Sequence, residues 1–341
     1  LQHPTHNAQV SVIIPVYNAV SYLEAALDSV LEQDWKELEI VAVNDGSSDD
    51  SGRILEEYRK RFPDRVQVIE LGKNLGQSAA LNAGIQASLG DYVKFLDADD
   101  LLAPGHLSAQ MRALEGTDHH LSSCRWSGFV GSPEKGRLRE ALTDRDYEDP
   151  LAWILDSMEF DEGMMPGWRW LIPRKILERA GGWDERLSLN NDFEFSIRLA
   201  LSAEGIRHAP DSILHYRQAV PGSLSKRMNR SSMESAWLTT RLGCDLILGK
   251  DDGPRARRLC ADRMQDWLFR FYPEHAVLAR EAEAAIKELG GSSRKLPGGR
   301  LLIRLGTILP WKVVRRMQCL AGALGWRKLK TWNRGNRRND A

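Results

Sequence analysis

The sequence lacks what would make it a membrane span, a disulfide scaffold or a zinc protein. No apolar run reaches the roughly eighteen residues that a bilayer crossing needs. Four cysteines, Cys124, Cys244, Cys260 and Cys319, are scattered over 341 residues with no C-x-x-C pair. That argues against sulfur ligation of a metal and against a disulfide framework, and it fits a reducing, cytoplasmic compartment. The chain opens Leu-Gln-His-Pro, with neither Met nor an apolar signal core, so the visible start need not be the natural one. There is no internal repeat. No G-x-G-x-x-G follows the first apolar segment, which continues Pro15-Val16-Tyr17-Asn18-Ala19, and no G-x-x-x-x-G-K-[ST] occurs. A backbone-amide cradle for phosphates is therefore missing, and a phosphate-bearing ligand would need its charge met by a cation.

What is present is an ordinary core composition, 42% hydrophobic and 28% charged, enough for one large or two modest domains. The net charge is zero but unevenly spread. From Ser292 onward there are thirteen Lys or Arg and one acid, Asp340, so that stretch carries +12 and the remainder −12. Such an asymmetry predicts a basic arm that meets an anionic surface.

Residues 10–15 (Val-Ser-Val-Ile-Ile-Pro) read as a buried strand that Pro15 ends. Residues 21–33 have a helical period, with Ser21 and Glu24 spaced as a capping box. Strands at 38–43 and 65–71 and helices at 49–61 and 77–88 follow, joined by Asn44-Asp45-Gly46 and Gly72-Lys73-Asn74-Leu75-Gly76. This alternation implies a mostly parallel sheet covered by helices on both faces, with ligands outside the carboxyl ends of its strands. Tyr17, Asp45, Lys73, Asp97 and Asp99 all fall just past such ends.

The densest signal is residues 91–100, Asp-Tyr-Val-Lys-Phe-Leu-Asp-Ala-Asp-Asp. An apolar strand delivers three carboxylates, and in extended backbone Asp97 and Asp99 share a side. Hard oxygen ligands of this kind suit magnesium or manganese. The alternative is a polar turn in which Asp100 caps the next helix. Beyond Pro104 the alternation fades. Strands are expected at 121–130, 167–172 and 206–216, and short helices at 173–179 and 192–203. A charged surface excursion is expected at 132–149, and amphipathic helices at 231–248, 254–272 and 274–289.

Six motifs occur in a fixed order: Val-Ile-Ile-Pro-Val-Tyr-Asn, Val-Asn-Asp-Gly-Ser-Ser-Asp-Asp, Lys-Asn-x-Gly, Asp-Ala-Asp-Asp, Gly-Gly-Trp-Asp-Glu, and an Asp opening a helix. Together they resemble family 2 glycosyltransferases of the GT-A fold over residues 10–226. The resemblance implies a Rossmann-like α/β sheet with a C-terminal helical extension, a nucleotide-sugar donor (commonly a UDP-sugar), a divalent cation (Mn2+ or Mg2+) and inverting displacement. It implies that Pro15 and Tyr17 lie at the base, that Asp45 accepts a hydrogen bond from it, and that Lys73 and Asp97 contact the donor. Asp99 would hold the metal and Asp192 serve as general base, with Glu194 its rival. For Asp192 the alternative is a helix start capped by Asn191 and Glu194. Trp168, Trp170 and Trp183 are candidates for the acceptor, against plain core filling. The family often reads Tyr-Arg-x-His where this chain has Tyr216-Arg217-Gln218-Ala219, so this protein would do without that His or use Arg217, and His215 is read as structural.

The expected organisation is a flexible segment at 1–9 and a catalytic domain at 10–230, with a nucleotide-sugar half at 10–103 and an acceptor half at 104–230. A helical extension at 231–289 and a basic, Trp-containing tail at 290–341 complete it. The expected reaction moves a sugar to a saccharide or lipid-linked acceptor in surface polysaccharide synthesis at the inner membrane face. The tail would meet an anionic membrane or cap the catalytic domain, and no nucleic-acid motif is present. A catalytically inactive binding module of the same fold is the alternative, and nucleotidyl transfer a third reading.

Overall fold

Val10, Val12, Ile14 and Val16 alternate with Ser11, Ile13 and Pro15, and all but Pro15 are buried, so the first strand has no wet face. A strand covered on both faces is what a helix-sandwiched sheet requires. The computed structural model describes residues 9–161, 163–220 and 228–323. Its elements in order are β1 (Val10–Val16), α1 (Leu23–Leu31), β2 (Leu38–Asn44), α2 (Ser51–Arg61), β3 (Val66–Glu70), α3 (Gln77–Ala87), β4 (Tyr92–Phe95) and β5 (Leu101–Leu102). Next come α4 (His106–Ala113), β6 (His120–Phe129), β7 (Arg137–Arg139), α5 (Pro150–Phe160), β8 (Trp170–Pro173), α6 (Arg174–Ala180), α7 (Asn191–Ala200), β9 (Gly205–Arg217) and α8 (Arg230–Leu248). The last are α9 (Pro254–Phe271), α10 (Ala276–Glu288), α11 (Arg300–Leu305) and α12 (Trp311–Ala323).

Among the described residues nine strands form one sheet in the order β3-β2-β1-β4-β8-β6-β9-β5, with β7 pairing β6 off this path. β1 to β4 are parallel to their neighbours, and β8 enters antiparallel beside β4. The even-numbered residues of β1 and β2 pack with Leu27, Leu55 and Leu107 of α1, α2 and α4. On the other face Gly84 of α3 lies so close to Ile13 that a Cβ would meet its Cγ2 at 2.3 Å. Phe95 there touches Phe195 of α7.

Several expectations change. Pro15 does not end β1: it pairs with Val43, and the strand runs on through Val16. The capping box at Ser21 does not form, because α1 starts at Leu23 without a side-chain cap. Gly167–Arg169 is a 3-10 turn, and only from Trp170 does the chain become strand. The stretch 132–149 is more than a surface excursion: Thr143 and Tyr147 are buried, and Tyr147 exchanges backbone hydrogen bonds with Ile206. Helices α4 and α5 went unread.

Two compact units divide between Asp252 and Gly253. Helix α8 therefore goes with the first unit, where Gly243 lies against the Phe193 ring of α7, and not with the helices that follow it. In the second unit α9 packs on α10, and Trp311 sets its ring against Phe269 and Tyr272. The expected flexible start lies almost wholly outside the described residues, as do Trp326 and Trp332 of the tail. No helix among the described residues is long and apolar enough to cross a membrane.

Candidate active site

Parallel strands put their carboxyl ends on one edge, and the loops leaving β1, β2 and β4 meet there. Asn18 donates its backbone N–H to Ser47 Oγ and accepts from the Ser48 N–H, joining the Tyr17 and Asp45 loops. Gly46, at φ +67°, has the Lys73 backbone where a Cβ would stand, 2.5 Å away, so only glycine fits between the two loops. Asp45 is 3% exposed, and its carboxylate accepts the backbone N–H groups of Leu75 (2.6 Å) and Gly76 (2.9 Å). It thus fastens the Lys73 loop. Tyr17 is 44% exposed, and Lys73 is exposed.

Past β4 the chain turns, with Asp100 N–H donating to the Asp97 carbonyl. Asp97, Asp99 and Asp100 each place a carboxylate oxygen within 4.8 Å of the others. Asp97 accepts from Gln77 Nε2 (2.9 Å) at the start of α3. Burial, then Asp99, then Asp192 push the Asp97 carboxyl up to about 8. Burial raises Asp99 as well, while Arg217 opposes the rise. Asp100 is fully buried and raised further, by burial and by its two neighbours. Its Oδ1 accepts the Arg217 N–H, and its Oδ2 has no partner. Three mutually repelling carboxylates with an orphaned oxygen are a donor set that a hard divalent cation fits. Asp99 with Asp97 and Asp100 would hold it.

Arg217 closes this corner from β9. Its Nε donates to the Asp99 carbonyl (2.8 Å), and its guanidinium lies between the Tyr22 and Phe129 rings, 4.9 and 4.5 Å from their centroids. Ala219, where the family often has His, adopts φ +64°. His215 is occupied elsewhere: its Nδ1 meets Ser127 Oγ at 2.7 Å, as a structural role requires.

Asp192 lies in the first turn of α7. The capping arrangement does not form, since the N-cap is Asn190, whose side chain makes no capping bond, and Asn191 Nδ2 donates to Ser78 Oγ. The rival Glu194 is gripped by Arg198 through Nε (2.6 Å) and Nη2 (2.9 Å), which leaves it a poor base. Among the described residues Asp192 Oδ1 accepts the Gly167 N–H (3.2 Å), and burial lifts its carboxyl to about 6. The Tyr216 hydroxyl is raised by burial and then by Asp100, Asp97, Asp99 and Asp192. One side chain therefore feels all four carboxylates. The Tyr216 ring stacks on Trp168 at 6.0 Å.

The glycosyl transferase family 2 profile matches residues 11–181, half of the sequence. The chain belongs to this family. Among family 2 relatives, the uncharacterized glycosyltransferase EpsJ of Bacillus subtilis is 29% identical over 238 residues, 66% of this chain and 65% of EpsJ. The chain thus spans just under two thirds of that curated relative. S. aureus TarS 1-349, solved with UDP-GlcNAc, superposes with a TM-score of 0.59 at 17% identity, over 84% of this chain and 93% of that one. The mannosyltransferase PcManGT of Pyrobaculum calidifontis, solved with GDP-Man and Mn2+, gives 0.52 at 20% identity over 97% and 90%. At these identities the likeness shows the fold alone.

Of the three tryptophans, Trp170 is withdrawn from the acceptor surface. It is fully buried against Trp153 at 4.8 Å and donates its Nε1–H to Ser196 Oγ. Trp168 and Trp183 are each 5% exposed, Trp168 against Tyr216 and Trp183 stacked on Phe195 at 3.9 Å. Sequence reasoning missed Gln77, Gly167 and Tyr216 as site residues. Tyr216 alone carried a signal, its place in the Tyr-Arg motif.

Proposed function

We propose that the protein is an inverting glycosyltransferase that moves a sugar from a nucleoside-diphosphate sugar to a saccharide or lipid-linked acceptor in surface polysaccharide synthesis. The observation that carries the reading is the gathering of Asp97, Asp99, Asp100 and Asp192 around Tyr216. Asp192, with a carboxyl near 6 and a single backbone donor, is the group able to take the acceptor hydroxyl's proton near neutral pH. Asp99, with Asp97 and Asp100, would hold manganese or magnesium, which offsets charge developing on the diphosphate leaving group. Exposed Tyr17, with Pro15, would pack on the base. Asp45 would accept from the base, and Lys73 and Asp97 would contact the remaining donor. Trp168 and Trp183 are kept as walls of the acceptor side. The donor would be a UDP-sugar, the family's common choice; TarS was solved with UDP-GlcNAc and PcManGT with GDP-Man. A cytoplasmic setting accords with four cysteines that form no disulfide.

The experiment is a pair of variants read for donor binding by thermal shift and for release of nucleoside diphosphate. Asp99→Ala loses cation-dependent binding and turnover together. Asp192→Asn keeps binding and loses turnover by on the order of 10²–10⁴. Turnover in Asp192→Asn equal to that of wild type removes the residue as base. Ala219 favours a second reading, a binding module without chemistry. Bound nucleotide with no transfer or hydrolysis of any nucleotide sugar would select it.

A further inference from the structure

Helix α12 in the second unit has two different faces. On the inner one Val314 is 1% exposed and Trp311 is held by Phe269 and Tyr272. On the outer one Val313, Met317 and Leu320 recur at helical spacing and are 43%, 44% and 64% exposed, with Ile308 at 81% just before them. Four large apolar side chains along one surface stretch differ from single exposed residues scattered at random. The same stretch carries cations: Arg304 is exposed, and so is Arg316, whose guanidinium lies 5.6 Å from the Tyr272 ring centroid, while Lys312 pairs with Glu283 and Arg315 donates to the Tyr272 carbonyl.

We propose that this face of α12 docks on an anionic bilayer surface, the apolar stripe entering the headgroup boundary and the cations meeting lipid phosphates. Charge complementarity selects that occupant. The segment from Ser292 carries thirteen Lys or Arg against one acid. The same segment of a second copy would be equally positive, and docking on a second copy's acidic remainder is the dimer outcome of the test. Residues 324–341 hold six Lys or Arg and one acid, so they do not complement the face either. Nucleic acid would match the charge but would not cover an aliphatic stripe, because its outer surface is phosphate and sugar. The inference is independent of the reaction assigned to the first unit.

The test is co-sedimentation of the full chain with sucrose-loaded vesicles. One set is phosphatidylcholine, and the other has roughly one headgroup in three replaced by phosphatidylglycerol. Wild type should pellet with the anionic set, remain in solution with the neutral set, and be released as salt shortens the screening length. Met317→Glu with Leu320→Glu, both at exposed positions, should lower the bound fraction about tenfold while circular dichroism is unchanged. Five outcomes overturn the proposal. They are equal binding to both vesicle sets, no binding to either, and undiminished binding by the double variant, which would assign the affinity to residues 324–341. The fourth is a dimer in light scattering that the double variant dissolves, and the fifth is capture of a single-stranded oligonucleotide in preference to anionic vesicles.

Discussion

Asp192 accepts the Gly167 N–H, and burial lifts its carboxyl to about 6. The deprotonated form is the base and is populated above that value. Hence kcat/KM should fall about tenfold per pH unit below pH 6, and a rate flat to pH 5 would mean that another group takes the proton. Gly167 itself is constrained, because a Cβ there would meet the Trp183 ring at 2.6 Å and Asp192 Oδ1 at 3.3 Å. Gly167→Ala should cost about 1–3 kcal/mol by overpacking and lower kcat more than donor affinity, measured by urea unfolding and initial rates. Unchanged kinetics would show that the turn does not set the carboxylate. The clustering of Asp97 and Asp99 was legible in the sequence because it lies in the residue type and the spacing of one motif. Gln77 and Gly167 were not, since one acts through an amide reaching from another helix and the other through a backbone N–H. Trp170 misled because a tryptophan's composition does not reveal which way its ring faces.

At the level of elements, β4 brings more than acids. Lys94 is fully buried on it and donates to Gln110 Oε1 (2.9 Å) of α4 and to the Trp168 carbonyl (2.8 Å) in the turn before β8. Burial lowers its ammonium from 10.5 to about 8. Below about pH 8 folded and unfolded chains both hold that proton, so the cost of burying the charge is present in full. Between about 8 and 10.5 the unfolded chain holds more protons, so this group makes stability rise with pH, by up to roughly 3 kcal/mol. Urea unfolding of wild type minus Lys94→Met across that window should show the climb, and parallel curves would refute it. The alternating strands and helices before residue 104 were readable because their apolar periods were clean. Helix α4 was not, for it buries His106 and Gln110 among its apolar residues and starts at Gly105 without a side-chain cap. Helix α5 had a readable start, with Asp149 capping the Leu151 N–H and Pro150 in the first turn, but lies after a long irregular stretch that hid it.

For the whole molecule, the break between Asp252 and Gly253 places every proposed donor ligand in the first unit. A chain ending at Asp252 should therefore keep cation-dependent stabilisation by nucleoside diphosphate, near 2.7 kcal/mol at about a hundred times Kd. Its loss from the shortened chain alone would tie donor binding to the second unit. The mixed right half of the sheet was beyond sequence pattern, because which strands neighbour β4 is decided by pairing across long loops. Arg217, on the last strand of that half, braces Asp100 from 117 positions further along. This has a temporal consequence. A ribosome delivers all three clustered carboxylates long before their brace emerges, so during synthesis Asp100 waits without the Arg217 N–H until the first unit is nearly complete.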